Sequence, residues 1–240
     1  MLTRERVPTG IAGLDSLIQG GFPANRSFLV TGEPGTGKTI FALQFLLDGL
    51  ARGENGVYVA ADENLSDVVE QAASLGWDLE RYTRSNALSI LNAGSYVSSL
   101  PATGREKHID VTRAVRDLTS HVTQAAAKRL VLDPAGPFVL LRDSAARIQD
   151  QTRLLIKLLR TSMNTTNLLT SYAVPRTGEK TRHGIEEYLV AGVITLRMVW
   201  QDKRAKRTLG IQKMRSTNVK PAQYEFDIVT GTGIMLLGER

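Results

Sequence analysis

The chain has 240 residues, 30 Lys and Arg against 24 Asp and Glu, and a formal net charge of +6. That length supports one large domain or two small ones around a real core, and the absence of cysteine excludes disulfide frameworks and thiolate metal sites. The modest basicity permits nucleic acid as a partner without requiring it, because a phosphate-binding enzyme also needs local positive charge. No run approaches the ~18 consecutive apolar residues of a membrane helix. Met1 to Thr9 carry charges but no apolar core, so no secretory signal is read there and a cytoplasmic location without a membrane partner is expected.

In chain order, glycines 10, 13, 20 and 21 punctuate a short amphipathic helix at Leu14 to Ile18, with Thr9 or Asp15 as its expected cap. Residues 1–25 read as a small N-terminal lid against the first strand, or, as physics alone favours, as plain N-terminal packing. Phe28 to Val30 is short and apolar, as a buried strand is, and Ile40 to Leu47 reads as a helix buried on most faces. Between them the spacing G-x-x-x-x-G-K-[ST] is met by Gly32, Gly37, Lys38 and Thr39. Glycines let such a loop wrap a phosphate chain, its N–H groups point inward, and the helix N-terminus adds positive potential. Gly32, Glu33, Pro34, Gly35, Thr36, Gly37, Lys38, Thr39 and Ile40 are therefore the expected nucleotide site. Lys38 would place a cation between β- and γ-phosphates, and Thr39 would offer a hydroxyl to Mg²⁺.

Val57 to Ala61 reads as a second buried strand ending in Asp62 and Glu63, with an amphipathic helix from Asp67 to about Leu75. Carboxylates at a strand tip beside a phosphate loop are placed to activate water; acids also simply suit a helix N-terminus. Leu88 to Leu91 is a short strand, 92–107 a polar loop, and 109–127 a helix with Ile109, Val111, Val115, Leu118 and Val122 on one face. Arg129 to Asp133 is an apolar run ending in an acid, and Asp133 is the expected Mg²⁺ partner of Thr39. A long helix is expected over 143–163 and a buried strand over 167–172, with Thr170 or Ser171 at its tip near the γ-phosphate. Residues 174–183 form a charged loop. Val193 to Trp200 and Lys206 to Met214 read as a β-hairpin with a basic turn. Lys203, Arg204, Lys206 and Arg207 suit a solvated tip that protects an edge; the other reading is a nucleic-acid or partner contact, against which stands the lack of interleaved aromatics. A last hairpin spans 224–237.

The fold class expected is α/β: a P-loop core with a mostly parallel sheet flanked by helices, extended by antiparallel hairpins over 190–238, all in one domain of 1–240. The stretches 8–23, 32–39, Tyr58 to Asp67, Leu75 to Leu79, 182–188 and 213–217 together resemble the KaiC-like branch of the RecA superfamily of ATPases. The resemblance spans 7–238. It implies ATP and Mg²⁺ as cofactors, slow ATP hydrolysis, a self-assembled homohexameric ring with ATP between subunits, and coupling of nucleotide state to assembly and to a signalling partner. Asp62 and Glu63 match the family's paired catalytic glutamates, Asp62 being one methylene shorter. Lys213 and Arg215 match a K-x-R pair that a neighbour inserts toward the γ-phosphate, and Thr217 matches the same segment. Ser216, Val219 and Ala191 depart from the usual residues. Where the two-domain clock proteins of this family phosphorylate a Ser/Thr pair, this chain has Glu186 and Glu187, so a single ATPase-type domain is expected. A RecA-like DNA-dependent ATPase is the competing function, with 174–183 in the place of DNA-binding loops.

Overall fold

The computed structural model describes residues 5–61, 63–93, 111–136, 145–172, 189–201, 204–220 and 222–237. β1 (Arg6–Val7) and β2 (Phe22–Pro23) make a two-stranded sheet around α1 (Leu14–Leu17). The main sheet holds β3 (Ser27–Gly32), β4 (Gly56–Ala60), β5 (Leu88–Asn92), β6 (Arg129–Asp133), β7 (Thr166–Tyr172), β8 (Gly192–Gln201), β9 (Arg204–Met214), β10 (Gln223–Val229) and β11 (Gly233–Leu236). Its order is β11-β10-β9-β8-β3-β7-β6-β4-β5. From β8 to β5 every pairing is parallel, and β8 to β11 pair antiparallel. The α/β core with C-terminal hairpins is thus the expected architecture.

β3, β4 and β6 are buried at every position, because parallel strands are covered on both faces and need no polar alternation. One face carries α2 (Lys38–Ala51), whose Phe41, Phe45 and Leu46 pack with Phe28, Val30 and Tyr58. α3 (Leu65–Ser74) and α4 (Leu79–Arg84) cover the β4–β5 end of that face through Val68, Ala72 and Leu79. The other face carries α5 (Val111–Gln124) and α6 (Ala145–Ser162), with Val115, Leu118, Leu155 and Leu159 on Leu29, Val57 and Val59.

Several local expectations change. α5 stops at Gln124, before Ala126 turns into the left-handed region at φ 49. Neither Thr9 nor Asp15 caps α1: Asp15 Oδ1 instead accepts from the Thr9 N–H at 2.8 Å and the Thr9 hydroxyl at 2.7 Å, and Gly13 begins the helix. The N-terminal segment does lie on the first strand of the main sheet, Phe22 stacking on Phe28 with centroids 4.1 Å apart. It also reaches β11, through a bridge of Ala12 to Met235. The two surface loops read at 92–107 and 174–183 fall largely or wholly outside the described residues, as do Glu186 and Glu187.

Arg129 is the largest fully buried side chain, at 1% exposure. It reaches across α2 and donates to Glu54 at 2.6 Å, Asp48 at 3.1 Å, the Phe45 carbonyl at 2.6 Å and the Pro8 carbonyl at 2.9 Å. Gly49 makes room, since a Cβ there would run into the guanidinium. One residue thus ties β6, α2, the turn after α2 and the N-terminal segment together. Removing one member of a buried charge network leaves its partners uncompensated. Asp48 keeps Arg52 at 2.9 Å and Glu54 is one-third exposed, which moderates the loss. Arg129→Met is expected to lower unfolding free energy by about 3 kcal/mol, the low end for such a break. A denaturant midpoint equal to that of the wild type would contradict this role.

Candidate functional site

The loop Gly32 to Thr39 joins the carboxyl end of β3 to the N-terminus of α2, where open α/β sheets hold ligands. Gly37 sits at φ +103, and a Cβ on it would meet Ile228 Cδ1 at 3.2 Å. The left-handed backbone favours glycine there, and the end of the Ile228 side chain leaves little room for a Cβ. The Thr36 hydroxyl donates to the Glu33 carbonyl at 2.8 Å and is fully buried, so it braces the loop's turn. Lys38 Nζ donates to the carbonyls of Gly32 at 2.9 Å and Glu33 at 3.0 Å. The ammonium also lies 4.9 Å from the ring centroid of Tyr172, a cation–π contact. Burial draws the Lys38 pKa below its usual value, and the Asp133 charge works against that.

Asp133, at the tip of β6, is held from both neighbouring strands. The Tyr58 hydroxyl on β4 donates to its Oδ2 at 2.6 Å, and the Thr170 hydroxyl on β7 donates to its Oδ1. Thr170, read as a candidate near the γ-phosphate, therefore spends its proton on Asp133. Each carboxylate oxygen has a further lone pair to offer.

Glu33, Thr36 and Gly32 shape the loop, while Pro34, Gly35, Gly37, Lys38, Thr39 and Ile40 line an open pocket of ≈ 260 Å³. Its other walls are Glu63, Gln71, Asp133, Pro134, Thr170, Tyr172, Arg207 and Ile228. That is just under the roughly 300–1,000 Å³ of small-molecule sites, in keeping with its open mouth. Glu63 thus faces the same space as Lys38 and Asp133; Asp62 lies outside the described residues.

Arg207 corrects the reading of the basic hairpin as a solvated tip. It is opposite Met198 in the β8–β9 register, on the face of core residues Leu196 and Leu209, and lines this pocket with a buried Nε that has no hydrogen-bond partner among the described residues. Its strand parity is the signal that finds it, once the register is known. Lys206 points to the other face and pairs with Glu225 at 2.8 Å, while Arg204 is exposed.

Lys213 and Arg215 do not join this pocket. β9 runs antiparallel to β8, so Lys213 sits opposite Val193 and the Arg215 N–H donates to the Ala191 carbonyl at 2.7 Å. Gly32 is level with Leu196. Ala191 is five residues back from Leu196 along β8, so Arg215 lies roughly 17 Å below the level of the phosphate loop, at about 3.3 Å per residue. Arg6 holds the turn that follows: it donates to the Ser216 carbonyl at 2.9 Å and the Thr217 hydroxyl at 2.8 Å. Ser216 takes φ 60, which explains why this position suits glycine.

The Tyr58–Asp133 bond predicts a pH signature. Burial first, then the charge and hydrogen bond of Asp133, push the Tyr58 pKa well above the usual 10.0. In the unfolded chain it ionises near that value, so its contribution is complete below pH 10 and is lost as pH rises further. Tyr58→Phe is expected to cost about 1–3 kcal/mol at neutral pH by unsatisfying a buried carboxylate oxygen. Above pH 10 the wild-type advantage should shrink by about 1.4 kcal/mol per pH unit. Parallel stability curves for the two proteins through that range would exclude the bond.

Comparison with known proteins converges on one family. A family model described as "ATPase: KaiC" matches residues 7–240. The chain is 32% identical over 234 residues to a circadian clock protein KaiC3 of Synechocystis, covering 97% of this chain and 46% of that one. It is 31% identical over 243 residues to a circadian clock oscillator protein KaiC of Prochlorococcus marinus, covering 98% and 47%. The chain spans about half the length of these curated relatives. The crystal structure of a KaiC-like protein from Pyrococcus horikoshii superposes with a TM-score of 0.82 at 33% identity, covering 98% of this chain and 100% of that one. With the phosphate loop, the strand-tip carboxylates and the sheet order described above, these matches make the chain a member of the KaiC family of ATPases.

Proposed function

We propose that this chain binds ATP with Mg²⁺ and hydrolyses it slowly as a homohexameric ring, with ATP at subunit interfaces and nucleotide state coupled to assembly and to a signalling partner. Lys38 and the loop amides would hold the phosphates. Thr39 and Asp133 supply hard oxygen donors, the chemistry Mg²⁺ prefers; because that ion keeps several waters, Asp133 would accept from metal-bound water while Tyr58 and Thr170 hold it in place. The ion supplies charge neutralisation of the phosphates when bound. Glu63, with Asp62, would orient and deprotonate the attacking water.

The observation that carries the ring is the position of Lys213 and Arg215. They stand at the far end of the sheet from Lys38, so they can meet a γ-phosphate only on another copy of the chain. There they would neutralise transition-state charge as cations supplied in trans. Arg6 would position that segment from the N-terminal strand.

Glu63→Gln should lower phosphate release by about 100-fold or more while nucleotide binding persists, the loss expected of a general base. Equal turnover would sink the assignment. Arg215→Ala should lower turnover about 10³-fold, in the range of a lost trans cation. Mixing that variant with an equally inactive Lys38→Ala chain should restore phosphate release, because one chain then supplies the loop and the other the cation. A mixture as inactive as its parts, or a chain whose mass in solution stays monomeric with Mg²⁺ and a non-hydrolysable ATP analogue, would overturn the trans arrangement.

A further inference from the structure

Trp200 is the most exposed large apolar residue among the described residues, at 72%. It ends β8, and the strand register fixes which way it faces. Trp200 is opposite Ala205, two residues beyond the pair of Met198 and Arg207. Arg207 in turn is opposite Phe226 on β10. Residues directly opposite share a face, and so do residues two apart on one strand. Leu196, Met198 and Trp200 therefore share a face with Ala205, Arg207 and Leu209, and with Phe226 and Ile228. The lower members of this face, Leu196, Leu209 and Phe226, are buried in the core. The upper members Arg207 and Ile228 line the same pocket as Gly37 and Lys38 of the phosphate loop. Trp200 continues that face one step beyond Met198 and Arg207.

We propose that Trp200 is a stacking platform for the base of the bound nucleotide. The proposal rests on the nucleotide reading given above and names a residue for the half of the ligand that the phosphate loop does not hold. Two strand spacings, roughly 10 Å, separate the backbone of Trp200 from that of Ile228. Ala205, opposite Trp200, lies on the strand between them and carries only a methyl group. A planar ring fits over Ala205, with the indole on one side and the Ile228 side chain on the other. Arg207, one step down on the same face, adds a cation that stacks on a base as readily as on an aromatic side chain. An exposed indole costs nothing in packing to leave open and gains from covering. Every base offers a π-face, so stacking adds affinity without selecting between adenine and guanine.

The experiment uses the full chain with Mg²⁺ and a non-hydrolysable ATP analogue, followed by tryptophan fluorescence. The protein has two tryptophans, Trp77 and Trp200. Trp77 is partly buried beside Gly233. Nucleotide is expected to quench the wild type and to leave the fluorescence of Trp200→Phe nearly unchanged. Trp200→Ala should weaken the analogue about tenfold or more, the loss expected of one base-stacking side chain. Competition by inorganic tripolyphosphate should be unaffected in the same variant. Trp200→Phe should restore most of the affinity, since a phenyl ring also stacks. The proposal falls if Trp200→Ala binds the analogue as the wild type does, or if it loses the analogue and tripolyphosphate equally. Those outcomes leave the nucleotide reading standing. A wild type that binds neither ligand would take down both.

Discussion

The site depends on a single carboxylate held from both sides. Asp133 ends the strand that lies between β7 and β4, and each neighbour contributes one hydroxyl to it, Thr170 from one and Tyr58 from the other. A buried carboxylate is costly unless its oxygens are satisfied. Here the two bonds that satisfy it also fix the relative height of three strand tips. Glu63 follows β4, Tyr172 ends β7, and the phosphate loop leaves β3 next to β7. The positions of the pocket walls are thus linked through one residue, and parallel register makes that possible, because all these strands end on the same side.

The second constraint is directional. After β8 the chain reverses, and every later strand runs antiparallel to the one before it. Cations near the end of β9 are therefore carried away from the phosphate loop, while the start of β9 passes beside it. Arg207 and Arg215 lie on or just after the same strand, and of the two only the first lines the pocket described here. Arg6 then fastens the turn after Arg215 to the opposite end of the sequence. In this way a short N-terminal strand becomes part of how the far end of the sheet is presented.

Much of this was legible from residues alone. The strand, glycine loop and helix around Lys38 carry their own spacing, and Asp133 is marked by an apolar run ending in acid. The hairpins announce themselves by two β-rich runs around a charged turn. Tyr58, Arg207 and Trp200 were harder for a common reason. Tyr58 reads as one more apolar strand residue, Arg207 as one of several cations at a tip, and Trp200 as the end of a strand. What each does depends on the strand beside it and on the face it occupies, and neither is encoded locally. Sheet order and register supply both, since a shift of one residue exchanges the faces. The Thr9–Asp15 bond was missed because both residues suit a cap, and only the fold shows them satisfying each other. The paired acid at 62 belongs to the sequence reading alone.

The nearness of Ile228 to the phosphate loop at Gly37 has a consequence for how the site comes into being. The phosphate loop is synthesised well before β10, which carries Ile228. Gln44 reinforces the dependence, since its amide bonds both the N–H and the carbonyl of Ile234 on β11. A nascent chain therefore carries a complete phosphate-loop motif long before it owns a pocket. The pocket as described is complete only once β10 is in place, with β11 tied to α2 through Gln44.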